Sequence, residues 1–289
     1  MRPFLVSVVV LLCAFSLPLF QVVRLSLHNG LYSYIVLIPC VSLFLAWQRR
    51  DSFDLSPDPG NRTLAWLFAA AGLSFLGWYL LHLLDSGAAP QQDALALAMY
   101  SLVLLVAAAA CLFLNPKTLG QLGFPLGFLI FLAPFPVFVE TALEHLLQHG
   151  SAFVAHGMFQ TVGTPVLRTA TFFRLPGFSM EVAPECSGIN STVALLVTSL
   201  VAGQIFIRSS WKRATLALVV IPIALLRNGL RVFTIGELCV HVGPEMIDSY
   251  IHHHGGPIFF ALSLVPFSLV LFFLVRSERP RPSATKSAT

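Results

Sequence analysis

The sequence predicts an all-α membrane protein: a polytopic bundle of about eight transmembrane helices with a short extracytoplasmic amphipathic helix and hairpin insert. Three observations predict it. Hydrophobic residues make up 56% of the 289 and charged residues only 10%, against about 45–50% and about 25% in soluble domains. The mean hydropathy is +0.81. Apolar runs near the roughly 20 residues that span a bilayer recur between polar breaks. Too few charges remain to cover a water-soluble particle of this size. A soluble enzyme, a disordered chain and a nucleic-acid binder are therefore excluded. The whole chain, 1–289, reads as one polytopic domain with an insert at about 140–190.

The expected spans follow in order. The first covers 4–23 and the second 31–47, which ends in Gln48-Arg49-Arg50. The third covers 64–84, the fourth 95–114, and the fifth 119–139 with Pro125, Pro134 and Pro136 inside it. The sixth covers 191–207, the seventh 215–235 and the eighth 257–275. Span 1 has the look of a signal peptide, but no small-x-small cleavage site follows it, so it is kept as a helix. Between spans 5 and 6, Glu140 to His149 reads as an amphipathic helix in the interface plane, with apolar residues at 142, 143, 146 and 147. Segments 166–175 and 178–182 flank Pro176-Gly177, the pattern of a hairpin. Such a hairpin can hold an extended peptide by strand addition or serve as a plain surface loop.

Lys and Arg in short loops set orientation. With the N-terminus inside, the inner segments hold 12 of the 17 basic residues and four of the 13 acids. The outer segments hold five basic residues, nine acids and all nine His. The expected topology is N-in and C-in in a cytoplasmic (inner) membrane, with the polar chemistry facing the periplasm or exterior.

Three polar features interrupt this apolar chain. The first is Glu185-Cys186-Ser187-Gly188-Ile189-Asn190-Ser191, at the outer start of span 6. Ser187, Asn190 and Ser191 are suited to cap that helix start. A Cys there feels the positive end of the helix dipole, which favours the thiolate nucleophile. The other cysteines, 13, 40, 111 and 239, form no CxxC pair with it, so neither a zinc site nor a disulfide framework is expected. The second feature is Arg227-Asn228-Gly229-Leu230-Arg231, inside the outer half of span 7. Charges within a span are functional candidates by default, and residues four apart share a helix face. The third is His252-His253-His254 at the outer start of span 8. One His acting as acid/base near neutral pH is a more economical reading than three rings on one metal ion. Short loops make spans 6, 7 and 8 neighbours, so a thiol, a guanidinium and an imidazole meet at one depth in the outer leaflet. That is the equipment of cysteine acyl transfer, with Cys186 as nucleophile, a His moving the proton and Arg231 stabilising the oxyanion.

These residues resemble the exosortase/archaeosortase family of membrane-embedded cysteine proteases/transpeptidases. The likeness rests on Glu185-Cys186-Ser187-Gly188-Ile189-x-Ser191, on Asn228-x-x-Arg231-Val232 and on His252 four residues before Gly256. The run from His28 to Pro39 is similar, more loosely, to the family's early outer-side motif. The resemblance implies an enzyme that cuts secreted proteins near a C-terminal sorting signal (PEP-CTERM-like), made of a short motif, a membrane helix and a basic cluster. It implies a thioester intermediate, passed to water or to an amine or hydroxyl acceptor. It assigns Cys186, Arg231 and His252 as catalytic, with Glu185, Ser187, Arg227, Asn228, His253 and His254 supporting. No cofactor, metal or nucleic acid is expected; the partners are the secreted substrates and the lipid bilayer. Arg227 stands where the family usually has an uncharged residue, and His253 or His254 can serve in place of His252.

Three rival readings compete with this one. A metalloprotease would use Glu144, His145 and His149, or Asp248 with the His run, but the His-Glu-x-x-His order is absent. A thiol-redox protein would pair Cys186 with Cys239. A transporter would use Arg227 and Arg231 for anions and leave Cys186 dispensable.

Overall fold

The computed structural model describes residues 2–54, 60–84, 91–248 and 255–278. His252, His253 and His254, and the side chains of Glu185 and Asp248, lie outside the described part. Among the described residues six helices are long and apolar enough to cross a membrane, or up to eight if each of two bent pairs counts as one span. The expected polytopic helical architecture is what forms. The chain divides into two compact units, Met1–Glu140 and Thr141–Thr289.

The first unit holds α1 (Arg2–Ala14), α2 (Ser16–His28), α3 (Leu37–Gln48), α4 (Arg62–Leu84), α5 (Gln91–Phe113) and α6 (Pro116–Phe128). Its central element is α5, which touches α1, α2, α4 and α6. Small residues allow this: Ala96, Ala98, Ala108, Ala109 and Ala110 are all buried on α5. At Gly72 of α4 a Cβ would come within 3.0 Å of Leu105, and Ser101 Oγ donates to the Gly72 carbonyl at 2.8 Å. The first expected span is two helices bent by 69° at Phe15. Pro18, near the start of α2, has no N–H for the carbonyl one turn back and its ring crowds that turn. The fifth expected span breaks likewise at Ala133-Pro134-Phe135-Pro136. The early motif ends up in a partly buried polar network: Tyr32 Oη donates to Glu140 Oε2 at 2.7 Å, and Gln92 Nε2 donates to the Tyr32 hydroxyl and the Phe135 carbonyl, each at 2.8 Å.

The second unit takes up most of α7 (Val137–Val162), then β1 (Leu167–Thr169), β2 (Phe172–Leu175), β3 (Phe178–Glu181), α8 (Ile189–Phe206), α9 (Ser210–His241) and α10 (Gly256–Arg276). The stretch expected as an isolated interfacial helix is the first part of the 26-residue α7. The expected hairpin forms as β2–β3 around Pro176-Gly177, with Gly177 at φ 75°, the positive φ that Gly supplies at the third position of a type II turn. A further turn at Ala170-Thr171, with Ala170 at φ 55°, splits the remaining segment into β1 and β2. The result is an antiparallel meander, β1-β2-β3.

Strand alternation puts Phe173, Leu175, Met180 and Val182 on one face of the meander. That face packs on Ala152, Ala155 and Phe159 of α7 and Val232 of α9 in one buried cluster. Helices α7 and α9 approach closely: a Cβ at Gly229 would lie 2.6 Å from Val154, and one at Gly236 would lie 2.5 Å from Phe159. A second cluster, Leu195, Ile207, Leu216, Val220, Ile223 and Phe267, joins α8, α9 and α10. Large apolar side chains such as Ile258, Leu262, Val265, Leu269 and Phe273 remain exposed along α10, as a lipid-facing helix requires.

Candidate active site

The site lies in the second unit, where β3 leads into α8. Pro184–Cys186 forms a single 3-10 turn, with Cys186 N donating to Ala183 O and Ser187 N to Pro184 O, both at 2.9 Å. Gly188 then takes a left-handed conformation, φ 78°, and α8 starts at Ile189. The capping expected from Ser187, Asn190 and Ser191 does not form. Gly188 is the N-cap residue and carries no side chain to accept the first N–H groups. Ser191 Oγ and Thr192 Oγ1 instead donate back to the Gly188 carbonyl, at 3.2 and 2.8 Å. The reason is space: a Cβ on Gly188 would sit 2.8 Å from Arg227 Nη2 and 3.0 Å from Asn228 Oδ1. A positive φ and two polar side chains pressed on Cα both require glycine here.

Arg227 and Asn228 hold the turn from beneath. Arg227 Nη2 donates to the Gly188 carbonyl at 3.0 Å and to Thr192 Oγ1 at 3.3 Å. Asn228 Nδ2 donates to the Cys186 carbonyl at 2.8 Å. Both side chains are buried, as is Ser187. Two neighbours on α9 thus grip the backbone on either side of Ser187.

Arg231, one turn further along α9, points elsewhere. It lines a cleft with Cys186, Met180, Glu181, Val182, Val232 and Ile235. The cleft volume is about 30 Å³, about one water's share of the liquid. Cys186 is half-buried there, its thiol free. The structure therefore brings Cys186 and Arg231 to one cleft. It directs Arg227, expected to point into the same pocket, at the backbone that carries Cys186. The difference follows from rotation along the helix: four residues advance about 400°, so Arg231 lies about 40° round from Arg227. Val182, on the cleft wall, accepts a hydrogen bond at its carbonyl from Gln148 Nε2 of α7. Gln148, Thr192, Met180 and Val182 were not among the expected site residues. Only Thr192 carried a sequence signal, its place in the polar run that opens α8.

The rival readings meet the same geometry. All five cysteines are free thiols, so Cys186 and Cys239 form no disulfide. His145 and His149 lie side by side on one face of α7, with ring centroids 6.0 Å apart and planes tilted by 47°. Among the described residues no three His, Cys, Asp or Glu gather as a metal site.

Fold and cleft together define a polytopic helical membrane protein with a cysteine-bearing turn at the mouth of one helix. A family model described as transmembrane exosortase matches residues 26–269. The match covers most of the chain, and the protein belongs to that family. No curated protein and no solved structure matches the chain significantly.

Proposed function

We propose that this protein is a membrane-embedded cysteine protease/transpeptidase that cuts secreted proteins at a C-terminal sorting signal. The signal is a short PEP-CTERM-like motif followed by a membrane helix and a basic cluster. The observation that carries the reading is the shared cleft of Cys186 and Arg231; family membership supports it. The site faces the exterior of a cytoplasmic membrane, an orientation supported by the concentration of Lys and Arg in the opposite loops.

In the proposed reaction the Cys186 thiolate attacks the scissile carbonyl carbon. The carbonyl π electrons move to oxygen, and Arg231 stabilises that oxyanion. The oxyanion collapses, the C–N bond breaks, and the leaving amine takes a proton from a His of 252–254, with His252 the first choice. The acyl group is then a thioester on Cys186. Water, an amine or a hydroxyl attacks it, giving its proton to the same His and releasing the thiolate. Arg227 and Asn228 do not touch the substrate; they fix the turn that aims Sγ.

The test is to trap the thioester. Wild-type protein expressed with a secreted reporter bearing such a signal is quenched in acid, and Cys186 is read by mass spectrometry. A peptide acyl adduct that neutral hydroxylamine removes is the expected result. Full reporter processing by Cys186→Ala would overturn the reading.

A further inference from the structure

Strand β3 has one partner. The sheet order is β1-β2-β3, so its other edge is unpaired among the described residues. The backbone groups on that edge follow from the register. Val182 N donates to Thr171 O at 3.1 Å, so Val182 and Thr171 form a hydrogen-bonded pair. Such pairs alternate with non-bonded ones in an antiparallel ladder. In the register Phe173↔Met180 and Leu175↔Phe178, Phe178 and Met180 turn their N–H and C=O groups toward β2. Ser179 and Glu181 turn theirs away from it. Both are exposed.

This open edge is continuous with the cleft. Glu181, its last residue, lines the cleft beside Cys186 and Arg231, and Cys186 follows five residues on. The occupant is constrained by the edge itself. The outward N–H and C=O groups of Ser179 and Glu181 lead to the cleft, and an extended backbone beside an unpaired strand edge completes its hydrogen bonds by joining it.

The geometry points to the free edge of β3 as the docking rail for the substrate. An extended segment of the secreted protein, just before its membrane helix, adds to the meander as a fourth strand. It exchanges backbone hydrogen bonds with Ser179 and Glu181, and its continuation delivers the scissile carbonyl to Cys186. This rests on the proteolytic reading above and adds to it where and in what conformation the peptide is held. Recognition through backbone groups makes binding tolerant of side-chain identity in the docked segment, with selectivity confined to alternate positions.

Two measurements test it. In the first, Ser179→Pro removes only an outward N–H, and edge strands accept proline at such a position. Cleavage of a helix-anchored secreted reporter is expected to fall about five- to tenfold, the loss of roughly one backbone hydrogen bond. Labelling of Cys186 by a small maleimide is expected to stay at the wild-type rate, which shows the turn intact. Cleavage at the wild-type rate by Ser179→Pro overturns the rail and leaves the protease reading standing. In the second, Ser179→Cys is combined with Cys186→Ala, and single cysteines are placed along the reporter's pre-helix segment. Oxidative cross-linking is expected to peak at the one reporter position that faces residue 179, with weaker signal two residues to either side and none at the positions between. Uniform cross-linking, or none, overturns the rail. This second readout needs no catalysis. A reporter that wild-type protein does not cleave counts against the protease reading, while the cross-linking pattern decides the rail by itself.

Discussion

At the residue scale, the unusual feature is how much of the polar inventory of α9 serves one backbone turn. A guanidinium buried in an apolar helix is costly, and here it is aimed at two oxygens where the preceding helix, α8, begins. Both bonds come from the terminal Nη2, and lysine at 227 keeps the charge on a side chain that ends short of it. Arg227→Lys is therefore expected to lower turnover about 100-fold, the effect of misplacing a reacting atom by about an ångström, while KM changes little. Steady-state kinetics on a reporter peptide separate the two. Asn228→Ala takes the donor from the Cys186 carbonyl and is expected to cost about 1–3 kcal/mol of stability as well as turnover, read from thermal unfolding in detergent. Gly188→Ala meets both an unfavourable φ and the Arg227 and Asn228 side chains; it is expected to slow maleimide labelling of Cys186 by displacing the turn. In the sequence these residues were legible as a group, because polar side chains stand out in an apolar span. Their division of labour was not: spacing along α9 placed Arg227 and Arg231 on one face, and the 40° between them sends one to the backbone and the other to the cleft.

At the scale of elements, the site depends on how closely α7, α9 and the meander pack. Gly229 and Gly236 let α7 rest on α9, and the inner face of the meander fills the remaining space. Gly229→Ala pushes a methyl into Val154 and the Ser151 carbonyl and is expected to destabilise by about 1–3 kcal/mol, read as a lower midpoint of thermal unfolding. At the other end of the α8–α9–α10 group, the Glu278 carboxylate accepts the backbone N–H groups of Arg208 and Ser209, each at 2.9 Å. Those bonds hold its pKa below the ordinary 4.5, with Lys212 and Arg208 adding to the effect. A lowered folded pKa means that the stabilisation is complete above 4.5 and fades as the pH falls through the lower folded value. The unfolding-midpoint difference between wild type and Glu278→Gln is expected to be constant near neutrality and to vanish in acid; a difference that grows in acid would contradict it. Apolar runs between polar breaks made the helices legible, and Pro176-Gly177 made the β2–β3 turn legible. The bend at Phe15 and the split at Ala170 were not, since each depends on what the neighbouring turn can pack against.

At the scale of the molecule, the charge distribution makes a claim about orientation that cysteine accessibility can check. A membrane-impermeant maleimide added to intact cells is expected to label Cys186, and to label a Ser209→Cys, Cys186→Ala variant only after the membrane is opened. The reverse pattern would invert the proposed topology. From the sequence came the reading that this chain lives in a membrane, which runs are apolar enough to cross it and which residues are out of place there. Those are properties of composition and period, set by the cost of moving each side chain from water to lipid, and they are local. The tertiary structure alone decided that Arg227 and Asn228 grip the turn beneath the thiol and that β3 leaves an edge open beside it. These depend on packing between segments about 40 residues apart, and on a glycine whose missing side chain has meaning only once its neighbours are in place.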